Sequence, residues 1–354
     1  MSLRGFLGLA MLATLIGFIS CERDDDEPII NRDFSRLYMS FSDYDNSGQP
    51  IKPTNIGVML RADSSNFSDQ KNFQTFISAT NGASAITFNP SAQRIFLASG
   101  NNSGRDSSIQ IFTVAKEGTV ANSGQIINKH IRTVTGLVYY PSLDNLYAVE
   151  TSQNTIIVYN RPKGRQGIMN ATHRFIIPDD EDLRPWDIAM YKNVVYVTRT
   201  GENGGVDIFE NIASVRQDTL HEDIKPTRKL RLTGSHNIRG MSLDTVNNIL
   251  ALTDYSGSGS TAVGRILLFE NFSALADAGG TMTPSKIITG PNTGLIQPSD
   301  VELDFKSGSK YLYVSDPAAK KVFRFFASAD GDEKPESEFQ YRTSTPVGLS
   351  LDSR

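Results

Sequence analysis

A short apolar pattern recurs six times in this chain at nearly constant spacing, and this periodicity limits the folds that the chain can adopt. The pattern is a small residue or Asp, an aliphatic residue, any residue and an apolar residue. Its copies begin at residues 85, 136, 187, 240, 300 and 348, so successive copies lie 51, 51, 53, 60 and 48 residues apart. A repeat of this length indicates one supersecondary unit copied along the chain, as in solenoids and propellers.

Each copy is the first of several predicted strands. After a second short apolar segment, a third ends in Phe or Tyr, as at residues 109–112 (IQIF) and 156–159 (IIVY). A fourth completes most units, as at residues 174–177 (RFII) and 286–289 (KIIT). Runs of β-branched and aromatic residues separated by Gly, Asn, Asp and Ser predict strands rather than helices. Four strands per unit predict the blades of an all-β propeller.

The sixth unit is divided between the two ends of the chain. Its copy at residues 348–351 (GLSL) is followed by no further strand, whereas residues 37–39, 57–60 and 73–77 supply three strands that lack a first one. We therefore predict a six-bladed β-propeller over residues 33–354, with four-stranded blades. The ring is closed by the C-terminal strand joining the N-terminal blade, which removes exposed sheet edges.

One repeat class accounts for the motifs late in the chain. Residues 284–295 (PSKIITGPNTGL) lead into residues 298–304 (PSDVELD), and residues 311–316 (YLYVSD) follow. These segments resemble bacterial NHL-type repeats, with their P-x-x-I-x-G, TGL and LYV-x-D stretches. The resemblance implies a six-bladed propeller. NHL propellers serve many functions, so it implies no particular activity.

The first twenty residues have the features of a secretory signal peptide. Arg4 precedes an apolar segment at residues 6–19 (FLGLAMLATLIGFI), and Ser20 and Cys21 follow. This order of charged, apolar and small residues is typical of an export signal over residues 1–20. Cys21 is the one cysteine of the chain, so the sequence allows no intramolecular disulfide.

Residues 18–21 (FISC) resemble the lipobox of bacterial lipoproteins, although Phe18 stands where that family usually has Leu. The resemblance implies that Cys21 is acylated and becomes the mature N-terminus, which gives stable anchoring. Residues 21–32 form an acidic tether. Its run at residues 22–27 (ERDDDE) is either a solvated spacer or an export signal, which it resembles in surface lipoproteins of the Bacteroidetes type. We expect an outer-membrane location at the cell surface, with the periplasmic face as the alternative.

The net charge restricts the partners. Lys and Arg number 35 against 39 Asp and Glu, a formal net charge of -4, so no basic field is available for nucleic acid. After the signal peptide no apolar run approaches the ~18 residues that a spanning helix requires. We expect a monomer that contacts the membrane through its lipid anchor only.

The innermost strands of a propeller line its central channel, so the repeated pattern predicts channel-facing residues. The first positions of the six copies are Ala85, Gly136, Asp187, Gly240, Asp300 and Gly348. Small residues suit six strands that converge on one axis. Asp187 and Asp300 require a cation, hydrogen-bond donors or a proton. They either form a cation or polar-ligand site or cap neighbouring backbone amides.

The ends of the second strands give a further column of candidates: Ser99, Glu150, Arg199, Asp254 and Asp316. In NHL-like units an Asp at this position bonds the following turn, so the resemblance implies structural roles for Asp254 and Asp316. Glu150 and Arg199 depart from that pattern. Loops at the same rim supply five more candidates, which are Arg184, Trp186, His236, Arg239 and Tyr255. Trp186 is the one tryptophan; it is either an exposed aromatic beside Arg, which is typical of recognition sites, or a side chain packed between blades.

The evidence for metal or catalytic chemistry is weaker. Residues 43–48 (DYDNSG) resemble the first half of an EF-hand loop, but Thr54 stands where the bidentate Glu would lie. The four histidines show no metal-ligand spacing, and the sequence contains no G-x-S-x-G elbow or P-loop. Six-bladed lactonases of the gluconolactonase type hold calcium with Glu, Asn and Asp, whereas this channel column offers two Asp.

We therefore predict a surface-anchored, non-catalytic propeller, which binds a protein or glycan through its loop rim. We expect no cofactor, with calcium as the alternative. The candidate ligand-binding residues are Glu150, Arg184, Trp186, Asp187, Arg199, His236, Arg239, Tyr255 and Asp300. The alternative is a metal-dependent hydrolase or lactonase that acts at the channel mouth around Asp187 and Asp300.

Overall fold

A computed structural model describes residues 35–44, 53–101, 104, 106–179, 181–215, 219–221, 224–306 and 310–353. The predicted signal peptide, Cys21 and the acidic tether lie outside these residues. Within the described ranges, no helix has both the length and the apolar character needed to cross a bilayer. Residues 34–354 form one compact unit.

The described strands form six sheets, each built on four antiparallel strands, and we number five of them as blades in chain order. Blade 1 contains β4 (Ala83–Asn89), β5 (Arg94–Ser99), β6 (Ser108–Val114) and β7 (Val120–Ile127). Blade 2 contains β8 (Val134–Tyr140), β9 (Asn145–Glu150), β10 (Thr155–Asn160) and β11 (His173–Ile176). Blade 3 contains β12 (Arg184–Tyr191), β13 (Val194–Thr200), β14 (Gly205–Phe209) and β16 (Arg228–Arg231).

The second half of the ring repeats this arrangement. Blade 4 contains β17 (Met241–Asp244), β18 (Ile249–Ser256), β19 (Val263–Glu270) and β21 (Lys286–Thr289). Blade 5 contains β22 (Asp300–Leu303), β23 (Tyr311–Asp316), β24 (Lys321–Phe326) and β25 (Ser337–Phe339). The short helix α1 (Phe272–Ala278) follows β19.

The last sheet joins the two ends of the described chain. This closing blade contains β26 (Pro346–Ser353), β1 (Ser35–Phe41), β2 (Ile56–Met59) and β3 (Phe73–Phe76), in that order from the axis outwards. β26 pairs antiparallel with β1 from Ser35 opposite Ser353 to Phe41 opposite Pro346. The predicted six-bladed all-β propeller, closed by the C-terminal strand, is therefore confirmed.

The middle strands are buried on both faces because each blade packs between two others. In β5 and β23 every residue after the first is buried. Such strands appear in the sequence as continuous apolar runs rather than as an alternation of apolar and polar residues. Between blades 4 and 5, for instance, Ile266, Val314 and Phe323 belong to one buried cluster.

The outer edges of blades 1 to 4 are each covered by a short parallel segment from the following blade. The loop before β11 forms backbone hydrogen bonds with β7. The N–H groups of Gln125 and Ile127 in β7 donate to the carbonyls of Arg165 and Gly167 in that loop, at 2.8 and 2.9 Å. β15 (Thr219–His221) pairs with β11, and β20 (Gly280–Thr281) pairs with β16. Gly331 pairs with Ile288 of β21. Each segment hides strand-edge groups that could otherwise pair with another chain.

Candidate functional site

The residue immediately before each copy of the repeated pattern lines one end of the central channel, which we call the channel mouth. In chain order these residues are Ser84, Thr135, Trp186, Arg239, Ser299 and Val347. Only Trp186 and Arg239 are large, and they lie on consecutive blades. The mouth is therefore asymmetric, with a cavity of about 300 Å³ that these six residues line together with Ala85, Asp187, Gly240, Asp300 and Gly348.

The guanidinium of Arg239 lies against two aromatic rings. Its central carbon is 4.6 Å from the ring centre of Trp186 and 4.6 Å from that of Tyr255. Nη2 of Arg239 donates a hydrogen bond of 2.6 Å to the hydroxyl of Tyr255. Burial lowers the pKa of Arg239 below its ordinary value, but an arginine side chain still stays protonated. Arg239 is thus a cation held by aromatic contacts.

Hydroxyl groups of the preceding blades hold the backbone of Trp186 and Arg239 in place. Thr135 Oγ1 donates to the carbonyl of Trp186 at 2.5 Å, and Thr198 Oγ1 donates to the carbonyl of Arg239 at 2.8 Å. Equivalent bonds at two further blade junctions run from Ser299 to Val347 and from Ser40 to Ser84. The mouth residues are therefore held by a belt of hydroxyl-to-carbonyl bonds between blades.

The carboxylate of Asp187 joins blade 3 to blade 4. Its Oδ1 accepts from the backbone N–H of Ile188, and its Oδ2 accepts from the N–H of Met241, both at 2.8 Å. Asp300 joins blade 5 to the closing blade in the same way, through Val301 at 2.8 Å and Leu349 at 2.7 Å. All four carboxylate oxygens therefore accept backbone amide hydrogens.

A third acid lies deeper in the channel. Glu302 Oε2 accepts a hydrogen bond of 3.2 Å from Ser242. Burial raises the pKa of Asp187 to about 7 and that of Glu302 to about 8, in each case as the largest effect. Burial and then the proximity of Asp187 and Glu302 raise the pKa of Asp300 well above its ordinary value. The channel acids thus retain protons at a pH where exposed carboxyl groups are ionised.

Small residues are required where the blades meet behind these acids. A Cβ atom at Gly136 would lie 2.7 Å from Cα of Asp187, and one at Gly240 would lie 2.4 Å from Cα of Asp300. Both distances are far below van der Waals contact with backbone. The glycines in the first-position column therefore permit the close approach of the next inner strand.

The residues at the ends of the second strands tie inter-blade loops in place. Asp316 Oδ2 accepts from the N–H groups of Ile296 and Gln297, and its Oδ1 accepts from the turn at Ala319. Asp254 accepts from Asn237 at 2.6 Å in the loop before its own blade. The resemblance implied a bond to the following turn. Asp316 makes that bond in addition to the bonds with the preceding loop.

Glu150 and Arg199 are buried within their blades, with 0 and 2% of their surfaces exposed. Glu150 accepts a hydrogen bond of 2.7 Å from the backbone N–H of Thr133. Like Asp254, it thus holds the loop before its own blade. Arg199 forms an ion pair of 3.0 Å with Asp207 and donates to the carbonyl of Leu183 at 2.6 Å. The structure therefore separates both residues from the open part of the rim.

Arg184 and His236 lie at the surface. Arg184 is 3.1 Å from Asp179, and His236 is 3.4 Å from Glu202, with more than two fifths of each basic side chain exposed. Neither lines the mouth cavity. Of the nine predicted binding residues, the structure brings five together around the mouth: Trp186, Asp187, Arg239, Tyr255 and Asp300.

Within the described ranges, no three side chains of His, Cys, Asp or Glu are grouped as metal ligands. Asp43, the first residue of the segment that resembles an EF-hand loop, accepts from the backbone N–H of Thr345 at 2.7 Å. Residues 45–52 of that segment lie outside the described residues.

Comparison with known proteins supports the fold. No protein-family model and no curated protein matches the chain in sequence. A chain of the crystal structure of a nidogen/laminin complex matches with a TM-score of 0.58 and 14% identity, over 90% of this chain and 98% of that one. Hydrazine synthase of Kuenenia stuttgartiensis matches with a TM-score of 0.49 and 12% identity, over 77% of this chain and 70% of that one. The Dos1 propeller matches with a TM-score of 0.44 and 10% identity, over 81% of this chain and 66% of that one. At such identities the similarity concerns the fold alone.

Two features of the site were missed in the sequence. The repeated pattern starts one residue after Trp186 and Arg239, so it does not include the position that these two residues share in consecutive blades. Glu302 was also missed. It occupies the third position of the repeated pattern, where the other five copies have Thr87, Val138, Ala189, Ser242 and Ser350. A single acid in that column is the signal that would have identified it.

Proposed function

We propose that this protein is a non-catalytic binding protein, anchored in the outer membrane through Cys21, that takes up a glycan or protein ligand at the channel mouth. The propeller fold is consistent with a binding or scaffold role. The observation that carries the proposal is the pair of Trp186 and Arg239 in an otherwise small-residue ring around a cavity of about 300 Å³. Concave sites with an aromatic surface and a few fixed polar groups are typical of ligand binding.

The orientation of the channel acids favours binding over hydrolysis. Both oxygens of Asp187 and both oxygens of Asp300 accept backbone N–H groups that hold adjacent blades together. A general base or a metal ligand would have to direct an oxygen at the substrate or the ion. The oxygens of Asp187 and Asp300 instead hold adjacent blades of the propeller together.

The one tryptophan of the chain provides a direct test. Trp186 lies in the mouth, so its emission reports on that site without a contribution from any other tryptophan. The purified full-length protein in detergent would be applied to glycan and peptide arrays. The strongest ligands would then be titrated while Trp186 emission is followed. We expect saturable changes in emission.

Filling the cavity should abolish this response. Ser84→Leu places a larger apolar side chain at the mouth of blade 1, and Ser91→Leu is a matched control because exposed Ser91 lies in the turn at the other end of β4. We expect the first variant to lose binding and the second to retain it. Array binding that survives in Ser84→Leu with unchanged affinity would place the binding site elsewhere.

A further inference from the structure

We propose that the ligand presents a carboxylate to the channel mouth and that Arg239 binds it, so that the ligand is an acidic glycan whose uronic acid unit enters the cavity. This inference rests on the proposed function and specifies the class of ligand for the same site.

The first argument is the way in which Arg239 differs from four other arginines that lie in strands of the propeller. Arg199, Arg231, Arg265 and Arg324 each form an ion pair with a carboxylate, at distances of 2.5 to 3.0 Å. Among the described residues, no carboxylate oxygen lies within 4.0 Å of the Arg239 guanidinium. Its contacts are the rings of Trp186 and Tyr255 and the Tyr255 hydroxyl.

The second argument is the number of donors that Arg239 has available. A guanidinium carries five N–H donors in a planar fork that matches a carboxylate in a bidentate manner. Within the part of the chain that the structure describes, the side chain of Arg239 donates one hydrogen bond, to Tyr255. The remaining donors belong to a half-buried cation whose position is already fixed by two rings. Little conformational entropy is therefore lost when an anion binds.

The third argument is the weak negative charge of the cavity. Asp187 and Asp300 line the cavity beside Arg239, and Tyr255 and Asp316 are close enough to influence its charge. Burial is the largest cause that raises the pKa of each of these three acids. Protonated channel acids repel an incoming anion less than ionised ones would. Arg239 consequently dominates the local potential.

The fourth argument is size, and it favours a glycan over a protein element. A cavity of about 300 Å³ lies at the lower end of the range for small-molecule sites. One turn of an α-helix with its side chains, about 10–12 Å wide and about 5.4 Å long, already takes up more than this volume. Hydroxyl groups of Ser84, Thr135 and Ser299 line the cavity beside the Trp186 ring, a combination that suits the polar edges and apolar faces of a sugar.

The test compares a charged sugar with its uncharged form. The full-length protein in detergent is titrated with a trisaccharide of galacturonic acid, with the methyl ester of the same trisaccharide and with triglutamate, and Trp186 emission is followed. We expect the acid to bind at least tenfold more tightly than its ester, and triglutamate to bind no better than the ester. Arg239→Met should remove the difference between acid and ester, and Arg239→Lys should retain part of it.

Each other outcome contradicts the inference in a recognisable way. Equal binding of acid and ester would refute carboxylate recognition but leave a glycan-binding function intact. Preferential binding of triglutamate would show that the acidic ligand is a peptide. Absence of any response to all three probes would overturn the inference, whereas the array experiment would still decide the proposed function. Circular dichroism and thermal melting of both Arg239 variants confirm that a loss of binding is not a loss of folding.

Discussion

Trp186 and Arg239 occupy the same position in consecutive blades, and the guanidinium carbon of Arg239 lies 4.6 Å from the centre of the Trp186 ring. Replacement of Arg239 by Met removes the cation and its hydrogen bond to Tyr255. We expect the emission of Trp186 to move to longer wavelength and to be quenched more strongly by acrylamide, because water would reach the face that the guanidinium covers.

Arg184→Met is the matched control for this effect. Arg184 lies two residues from Trp186 in the sequence but pairs with Asp179 at the surface. Its replacement should leave the emission maximum unchanged. If Arg239→Met leaves both the emission and the quenching at their wild-type values, the stacked arrangement of the mouth is incorrect.

Gly240→Ala should destabilise the junction between blades 4 and 5. The added Cβ would lie 2.4 Å from Cα of Asp300, which is backbone and cannot rotate away. We expect the free energy of unfolding to fall by about 1–3 kcal/mol, the usual range for overpacking, as measured by urea denaturation. At the equivalent position of blade 1 the chain already has Ala85, so Ala85→Gly should cost no more than about 1 kcal/mol. Equal stabilities of Gly240→Ala and wild type would contradict the close approach.

The channel acids should make stability depend on pH. Because burial raises the pKa of Glu302 from 4.5 to about 8, the native state binds more protons than the unfolded chain between these values. The free energy of unfolding should therefore decrease as the pH rises from about 5 to 8. Glu302→Gln cannot ionise, so denaturation at these two pH values should show a decrease smaller by on the order of 2 kcal/mol.

Glu338→Gln provides the comparison for this pH effect. Glu338 pairs with Lys321 at an exposed outer strand, so its replacement should leave the dependence of stability on pH as it is in the wild type. A steeper decrease in Glu302→Gln than in the wild type would show that the sign of the effect is wrong.

Removal of β26 should open the ring. β26 pairs with β1 along its length, buries Leu349 and Leu351, and supplies the Leu349 N–H that Asp300 accepts. We expect a protein that lacks residues 346–354 to melt at least about 10 °C lower, with a broader transition. A truncated protein that melts as sharply and as high as the intact one would show that the closing strand does not stabilise the ring.

Cys21→Ser should release the protein from the membrane. A thioether-linked lipid requires the sulfur of Cys21, and Ser cannot form that bond. We expect the variant to appear in the soluble fraction or as an unprocessed precursor, and to lose the label of a radioactive fatty acid. A variant that stays in the membrane fraction and carries the label would refute the proposal that the protein is a lipoprotein.

The blades could be predicted because their strands are local features. Each strand of the blades is a run of three to eight residues bounded by turns, and the pattern repeats with a period that is visible in the sequence. The closing strand could be predicted because a single unpaired copy remained at residues 348–351. The segments that cover the blade edges could not, because residues 165–169 and β20 have no β-strand pattern and acquire their pairing from the neighbouring blade.

The candidate site could be predicted by residue type but not by environment. Arg199 and Arg239 are indistinguishable as sequence letters, yet Arg199 is buried against Asp207 and Arg239 lies against two rings. The difference depends on Asp207, eight residues along the chain, and on Trp186, which is brought near Arg239 by the rotation from one blade to the next. Such contacts follow from the ring geometry, which the sequence alone does not supply.

The coverage of the outer edges of blades 1 to 4 by the following blade has a consequence for the order in which the blades can be completed as the chain is made. Blade 1 can form its four strands as soon as it emerges, but the edge at β7 stays open until residues 165–169 have been made. At about 5–20 residues per second, the delay between a blade and its cover amounts to a few seconds. Each of these four blades thus passes through a period in which its outer edge can pair with another chain. A chaperone that binds open strand edges would be most needed in those intervals. A last such interval, for the open edge of β1, ends when β26 pairs with β1.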